Sequence, residues 1–359
     1  MPLWKNGQSF IRIGFESTHF SHHQSIPVME TKYTSNRRRI RANAHIRELV
    51  ANVYLDHRDF IQPLFVDESV AVRTPMTSLN GIGADTIESL LEQIASDLEQ
   101  GISKFLLFPV PLSKSNHDFD FSFVVKALQA IKEKFGSQVW IAADTCLCAY
   151  TQHGHCGLLN EAQTAVLNHE SVLVLADYAL ALAKAGADCI APSDMMDGRI
   201  AAIRKILDAN GFDQVAILSY SAKFSSQFYG PFRDACKSSP GNNPLLKDRK
   251  TYQFSAFNAQ DGLLSTIRDI EEGADMVMVK PALPYLDIIQ TIKQETKFPL
   301  VAYHVSGEYQ ALELLAEKQL VDRSKAHLEV WTSLKRAGAD AIISYAARNA
   351  KTWIEGIAY

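Results

Sequence analysis

Eight short apolar or β-branched runs, separated by segments of helix length, constrain this chain more than any other feature. The runs are Phe60 to Val66, Lys104 to Val110, Val139 to Leu147, Asp188 to Ser193, Val215 to Lys223, Met276 to Pro281, Leu300 to Ser306 and Ala341 to Ala346. Between them lie amphipathic segments: Thr86 to Gln100, Val124 to Lys134, Val172 to Ala185, Ile200 to Ala209, Leu263 to Glu272, Tyr285 to Thr296 and Leu314 to Arg336. Such alternation builds βα units around a parallel sheet. Three of the helical segments end in Gly-Ala-Asp at Gly186, Gly273 and Gly338, where a left-handed glycine stops a helix and the next strand begins. Eight units favour a closed cylinder over an open doubly wound sheet, and no glycine-rich phosphate loop follows Val66. The expected fold class is therefore α/β, a (β/α)8 TIM barrel over residues 46–359, with an extended N-terminal arm, residues 1–45, at an oligomer contact. In such barrels the reactive groups sit at the C-terminal ends of the strands.

Composition narrows the partners. A length of 359 residues with 47% hydrophobic and 21% charged residues supports a large core and excludes disorder. A net charge of -4 gives no electrostatic reason for nucleic acid. No apolar stretch is long enough to span a membrane, and the N-terminus has no secretory pattern, so the expected location is cytoplasmic. Residues 1–35 read as an arm or extension, with an organellar targeting peptide as the alternative. The five cysteines, three of them between Cys146 and Cys156, look like a metal site and not like a disulfide framework.

Lys223 closes the fifth run and Lys280 the sixth. A lysine at the mouth of a barrel loses hydration, its ammonium is disfavoured, and the free amine becomes a nucleophile for a carbonyl. Neighbouring strands lie about 5 Å apart, so two ammonium groups there repel and strengthen the effect. The plainer reading, in which each lysine snorkels to solvent, explains one such residue better than two.

Cys146, Cys148 and Cys156 follow the third run. Three thiolates can hold zinc and leave one position for water or substrate, which is the catalytic arrangement; His153 or His155 as a fourth ligand would instead close a structural knot. Ser193 and Asp194 follow the fourth run, Ser306 the seventh, and Tyr345 belongs to the eighth. The loop after Lys223 carries Tyr229, Phe232 and Arg233, with Arg249 and Lys250 beyond. Arginine's planar fork suits a carboxylate.

Several stretches resemble the porphobilinogen synthase, or 5-aminolevulinate dehydratase, family closely, from about Arg37 to the C-terminus. They are Asp144 to Gly157, Ala191 to Arg199, Ser219 to Ala235, Glu271 to Ile288 and Tyr303 to Glu308. The resemblance implies a lyase that condenses two molecules of 5-aminolevulinate per active site to porphobilinogen, with loss of two waters, in tetrapyrrole (heme) biosynthesis. It makes Lys280 the Schiff-base lysine for the substrate on the propionate side and Lys223 the one for the acetate side. Ser306 and Tyr345 match the carboxylate-binding pair for the first substrate, and Arg233 and Arg249 the arginines that grip the second. Asp144, Ser193, Tyr229, Phe232 and Gln253 fall among the substrate contacts. Cys146, Cys148 and Cys156 stand where zinc-dependent members carry thiolates, which implies catalytic Zn2+. A homo-octamer is implied as well, with neither nucleic acid nor membrane as partner.

The chain departs from the family in four places. Asp261 stands near the glutamate that in bacterial members helps hold an allosteric magnesium (Mg2+), and one missing methylene puts that site in doubt. Thr251 replaces a cysteine that binds a second zinc in some animal members. The loop Gly241 to Lys247 is longer than usual, and residues 1–35 have no counterpart. Two rivals stay open: an aldolase-like barrel using one Schiff-base lysine, and an inactive barrel kept as a zinc-organised assembly module.

Overall fold

The computed structural model describes residues 37–239 and 245–357. They fall into two units divided between Val50 and Ala51. In the first, a 3-10 turn at Arg37–Arg41 precedes a short helix at Ala44–Leu49, capped by the Asn43 side chain. Most of the expected arm, residues 1–36, lies outside the described residues, as do residues 241–244 of the long loop.

The second unit is built on eight parallel strands: β1 (Phe60–Asp67), β2 (Lys104–Val110), β3 (Trp140–Thr145), β4 (Cys189–Pro192), β5 (Ala216–Lys223), β6 (Met276–Lys280), β7 (Leu300–His304) and β8 (Ala341–Ser344). Each pairs with its successor, and β8 returns to β1 through Phe60 opposite Ile342 and Ile61 opposite Ile343, which closes the cylinder. The strands are buried along almost their whole length, because helices cover the outside and side chains fill the inside. A short antiparallel ladder, Thr74–Pro75 with Gly83–Asp85, extends the sheet beside β1. The outer helices are α1 (Ile87–Glu99), α2 (Ser122–Phe135), α3 (Asn168–Lys184), α4 (Arg199–Ala209), α5 (Gln260–Glu271), α6 (Leu286–Thr296), α7 (Ser306–Glu317) and α8 (Arg323–Ala337). No helix of the described residues is long and apolar enough to cross a membrane.

One expected element divides in two. The segment Leu314 to Arg336 contains the end of α7 and most of α8, separated where Gln319 adopts a φ of 56° and Asp322 caps α8 by accepting the Lys325 N–H at 3.0 Å. Leu320 and Val321 carry the apolar pattern across this break although both are exposed, so periodicity alone does not reveal it.

The Gly-Ala-Asp turns do more than stop helices. Gly186, Gly273 and Gly338 have φ values of 100°, 102° and 119°, a region open to glycine. The aspartate that follows each one then accepts a backbone N–H from the preceding strand: Asp188 from Ile141 at 2.7 Å, Asp275 from Ile217 at 2.8 Å and Asp340 from Leu300 at 2.7 Å. Each aspartate's own N–H donates back to the same residue's carbonyl. Three barrel registers are thus fixed at the end opposite the lysines.

Beneath the lysine end, Arg199 is fully buried and ties three elements together. Its Nη2 donates to Asp269 Oδ2 and Ser219 Oγ at 3.2 Å each and to the Tyr220 carbonyl at 3.3 Å, while Nε lies 3.7 Å from Asp194 Oδ2. Burial raises the Asp194 carboxyl to about 6 against the pull of Arg199. Removing one member of a buried ion network strands the others without compensation. Arg199→Met is therefore expected to lower unfolding stability by about 3–5 kcal/mol, read as a lower denaturation midpoint at unchanged slope.

Candidate active site

Lys223 and Lys280 are register partners at the ends of β5 and β6, and both side chains are buried beside one Tyr220 ring. The Lys280 Nζ sits 4.4 Å from the ring centre of Tyr303, 4.9 Å from Phe232, 5.0 Å from Tyr220 and 5.3 Å from Tyr229. The Lys223 Nζ lies 5.5 Å from the same Tyr220 ring and donates to the Ser193 carbonyl. Burial, followed by the charge of Lys223, lowers the Lys280 ammonium to about 7, even though Asp144 pulls the other way. Lys280 is thereby poised as a free amine near neutrality.

Asp144 ends β3 and faces both lysines. Burial raises its carboxyl, opposed by the Lys280 and Lys223 charges and by the Ser193 hydroxyl. Its Oδ1 and the Tyr220 hydroxyl have no hydrogen-bond partner in the protein. Tyr220 is a site residue that sequence reasoning missed. Strict alternation would send Tyr220 and Lys223, three positions apart, to opposite faces, but β5 shifts register between Ser219 and Ala222. Such an irregularity re-aims side chains next to a site.

On the Lys280 side, Ser306 opens α7; its Oγ accepts the Phe232 N–H at 3.1 Å and donates to the Phe228 carbonyl at 3.2 Å. Tyr345, just past β8, lies 3.2 Å from the Tyr303 hydroxyl. Tyr229 donates to the carbonyls of Phe224 and Lys280 at 2.8 and 3.0 Å. Gly307 is required where α7 meets this loop, since a Cβ there would stand 2.6 Å from the Phe228 carbonyl oxygen.

Arg233 lies 5.8 Å from the Tyr229 ring, and burial and the Arg249 charge both work against its cation; burial opposes the Arg249 cation too, but the charges of Cys156 and Cys148 outweigh it. Arg249 Nη2 donates to the carbonyls of Gly154 and Ser238 at 2.8 and 2.6 Å. The Nε atoms of both arginines and both amide atoms of Gln253 are buried without a partner. A half-buried and a buried guanidinium with unused Nε donors, ion-paired to no carboxylate among the described residues, make a receptor for a ligand carboxylate.

The sulfur atoms of Cys146, Cys148 and Cys156 lie within 4.8 Å of one another, and all three thiols are free and buried. Hydrogen bonds from Cys146 and Cys148, followed by the Arg249 and Lys223 charges, hold the Cys156 thiol well below its ordinary range, whereas burial pushes Cys146 up. The cluster therefore favours a thiolate, which suits a thiophilic divalent cation. The histidines weighed as a fourth ligand stand apart. His155 is engaged at both ring nitrogens, with the Tyr252 hydroxyl at 3.0 Å and the Leu246 carbonyl at 3.1 Å, and the Nδ1 of His153 accepts the His155 N–H at 3.1 Å.

Three other residues singled out from the sequence fall elsewhere. Asp194 belongs to the Arg199 network, Lys250 is exposed, and Asp261 lines a cavity of about 630 Å³ with Arg268, Asp197 and Thr251, whose wall also includes Gln253. Among the described residues the cysteine trio is the one group suited to a metal ion, so Asp261 belongs to no such group.

Comparison with known proteins bears directly on this arrangement. Residues 34–353 match the model of the family described as delta-aminolevulinic acid dehydratase. The protein of that name from Bacillus subtilis is 43% identical over 321 residues, covering 88% of this chain and 97% of that protein. The one from Synechococcus elongatus is 43% identical over 327 residues, covering 89% and 99%. Among solved structures, the delta-aminolevulinic acid dehydratase (porphobilinogen synthase) of Toxoplasma gondii ME49, in complex with the reaction product porphobilinogen, superposes with a TM-score of 0.84. It is 38% identical and covers 91% of this chain and 93% of that one.

Proposed function

The chain belongs to the delta-aminolevulinic acid dehydratase family, and from that premise we infer that it condenses two molecules of 5-aminolevulinate to porphobilinogen with loss of two waters. It is a hydro-lyase of class EC 4.2.1.24 acting in tetrapyrrole and heme biosynthesis. The observation that carries this reading is the pair of register-matched lysines whose amines meet over one tyrosine ring.

In the mechanism, the Lys280 amine attacks the ketone of the first substrate and Lys223 that of the second. Each ketone oxygen leaves as water when its carbon becomes an imine, which accounts for both waters lost. A carbon–carbon and a carbon–nitrogen bond then join the substrates, and both lysines return as free amines on ring closure. Ser306 and Tyr345 orient the carboxylate of the Lys280-bound substrate; Arg233, Arg249 and Gln253 receive that of the other. Asp144, held between two cations with its carboxyl raised, takes and returns protons between the bound molecules. The donor set Cys146, Cys148 and Cys156 fits zinc, which when bound would supply Lewis acidity beside the Lys223-bound substrate. No magnesium role is assigned to Asp261. A homo-octamer working in the cytoplasm is the setting that the family resemblance favours, and sedimentation as a monomer at micromolar concentration would contradict the assembly.

The experiment for this reading is incubation of the purified, zinc-replete protein with 5-aminolevulinate, followed by assay of the pyrrole product. One porphobilinogen per two substrates consumed is expected; no pyrrole would overturn the reading.

A pH dependence follows from Lys280. The attacking species is the neutral amine, so protonation abolishes attack, and half the groups are neutral at about pH 7. Imine formation at Lys280 is expected to fall roughly tenfold for each pH unit well below that midpoint. Single-turnover borohydride trapping across pH 5 to 8 checks it, and a flat rate over that range would refute the depressed lysine.

A further inference from the structure

The geometry points to Glu308 as a positioning residue that holds the Lys280 loop and the Ser306 turn in one arrangement, and so sets where the Lys280-bound substrate sits. Glu308 occupies the first turn of α7 and is almost fully buried. One carboxylate oxygen accepts the N–H of Leu283 at 2.6 Å, and the other accepts the N–H of Val305 at 2.6 Å; the Ala282 N–H is directed at the same carboxylate. Ala282 and Leu283 lie two and three residues beyond Lys280, while Val305 immediately precedes Ser306. A single side chain therefore bridges the segments that follow β6 and β7. Its reach extends further, because Ser306 Oγ contacts the backbone of Phe228 and Phe232, and Phe232 is one of the four rings around the Lys280 amine.

The chemistry of the contact explains the choice of glutamate. Buried backbone donors left without an acceptor are costly, and a carboxylate's two acceptor oxygens can serve both loops at once; burial raises this carboxyl to about 7 against the pull of those same N–H groups. Glutamine presents one oxygen and one amide donor, so one loop must lose its partner. Aspartate keeps the charge but is one methylene too short to span both. No substrate contact is required of Glu308, and its carboxylate oxygens bond the segments after Lys280 and before Ser306 directly, the loop after Lys223 only through Ser306. The expected defect is accordingly one-sided.

This inference rests on the assignment of Lys280 and Ser306 to one substrate, and its test separates the two claims. Levulinate has the ketone and carboxylate of 5-aminolevulinate but no amine, so it can form an imine and cannot proceed to product. Full-length wild type, Glu308→Gln and Glu308→Asp are incubated with levulinate and reduced with borohydride, and adducts at each lysine are followed by peptide mass mapping. In wild type both lysines are labelled; absence of labelling at both would overturn the assignment and the inference with it. In both variants labelling at Lys280 is expected to slow by about tenfold or more, the scale of a small displacement at a reacting centre, while labelling at Lys223 keeps the wild-type rate. Equal slowing at both lysines, loss of folded structure by circular dichroism in both variants, or wild-type labelling at Lys280 would overturn the positioning role and leave the assignment intact.

Discussion

Lys280→Ala should lower turnover by about 10⁴-fold or more while leaving the barrel folded. The size follows from the role: a covalent nucleophile has no substitute in the site, and single removals of such groups cost as much as the loss of the whole catalytic set. Two features keep the effect local. Lys280 lies at a strand end, so truncation removes the amine and three methylenes from the site and not from the barrel core, and its neighbours Tyr220, Tyr229, Phe232 and Tyr303 keep contacts of their own. Removing a cation disfavoured by burial relieves a desolvation cost, so the midpoint of thermal unfolding should not fall. Steady-state kinetics beside a melting curve checks both halves. Activity within tenfold of wild type would remove Lys280 from the chemistry.

Cys156→Ser should be the second large lesion, with kcat/KM down about 10²- to 10⁴-fold, the range that corresponds to losing several kcal/mol of charge stabilisation by a metal. Cys156 is a fully buried member of the trio, its thiol held low by its two sister thiols and by Arg249, and three sulfur donors need all three positions to hold the ion. Serine at that position keeps the size and loses the anion. Chelation of the wild-type protein should reproduce the defect, and re-addition of zinc should restore activity in wild type but not in the variant. The cysteine cluster lies apart from the main hydrophobic core, so circular dichroism should show the barrel intact in both cases. Collapse of the fold on chelation would instead indicate a structural metal and favour the reading of the cysteines as an assembly knot.

What could be read from the residues alone divides along physical lines. The eight strands and six of the eight outer helices follow from hydrophobic periodicity, because each element meets the core along one continuous stripe; the seventh segment runs two helices together. The lysines were legible for the same reason: a charged residue closing an apolar strand is conspicuous. The α7–α8 break was hidden because Leu320 and Val321 imitate a buried stripe while facing solvent. Tyr220 was hidden because a register shift within β5 reverses the alternation that pattern reading assumes. The cysteine spacing announced a metal site but left the fourth ligand open, since chain distance does not say that His155 spends both nitrogens on Tyr252 and Leu246. Glu308 closes the stretch Tyr303 to Glu308, but a partner of its carboxylate lies on another strand's loop, and only the folded chain brings Leu283 to it. The aspartates of the Gly-Ala-Asp turns repeat this lesson on a smaller scale: the glycine's function is local and visible, the aspartate's is across strands.

The central claim is that two amines in one cavity each carry a substrate. Its most direct measurement is the intact mass of the chain after saturation with levulinate and reduction with borohydride. Two adducts per chain, located at Lys223 and Lys280 and reduced to one in Lys280→Ala, are expected. A single adduct in the wild-type chain that disappears in Lys280→Ala would describe a one-lysine aldolase and contradict the account.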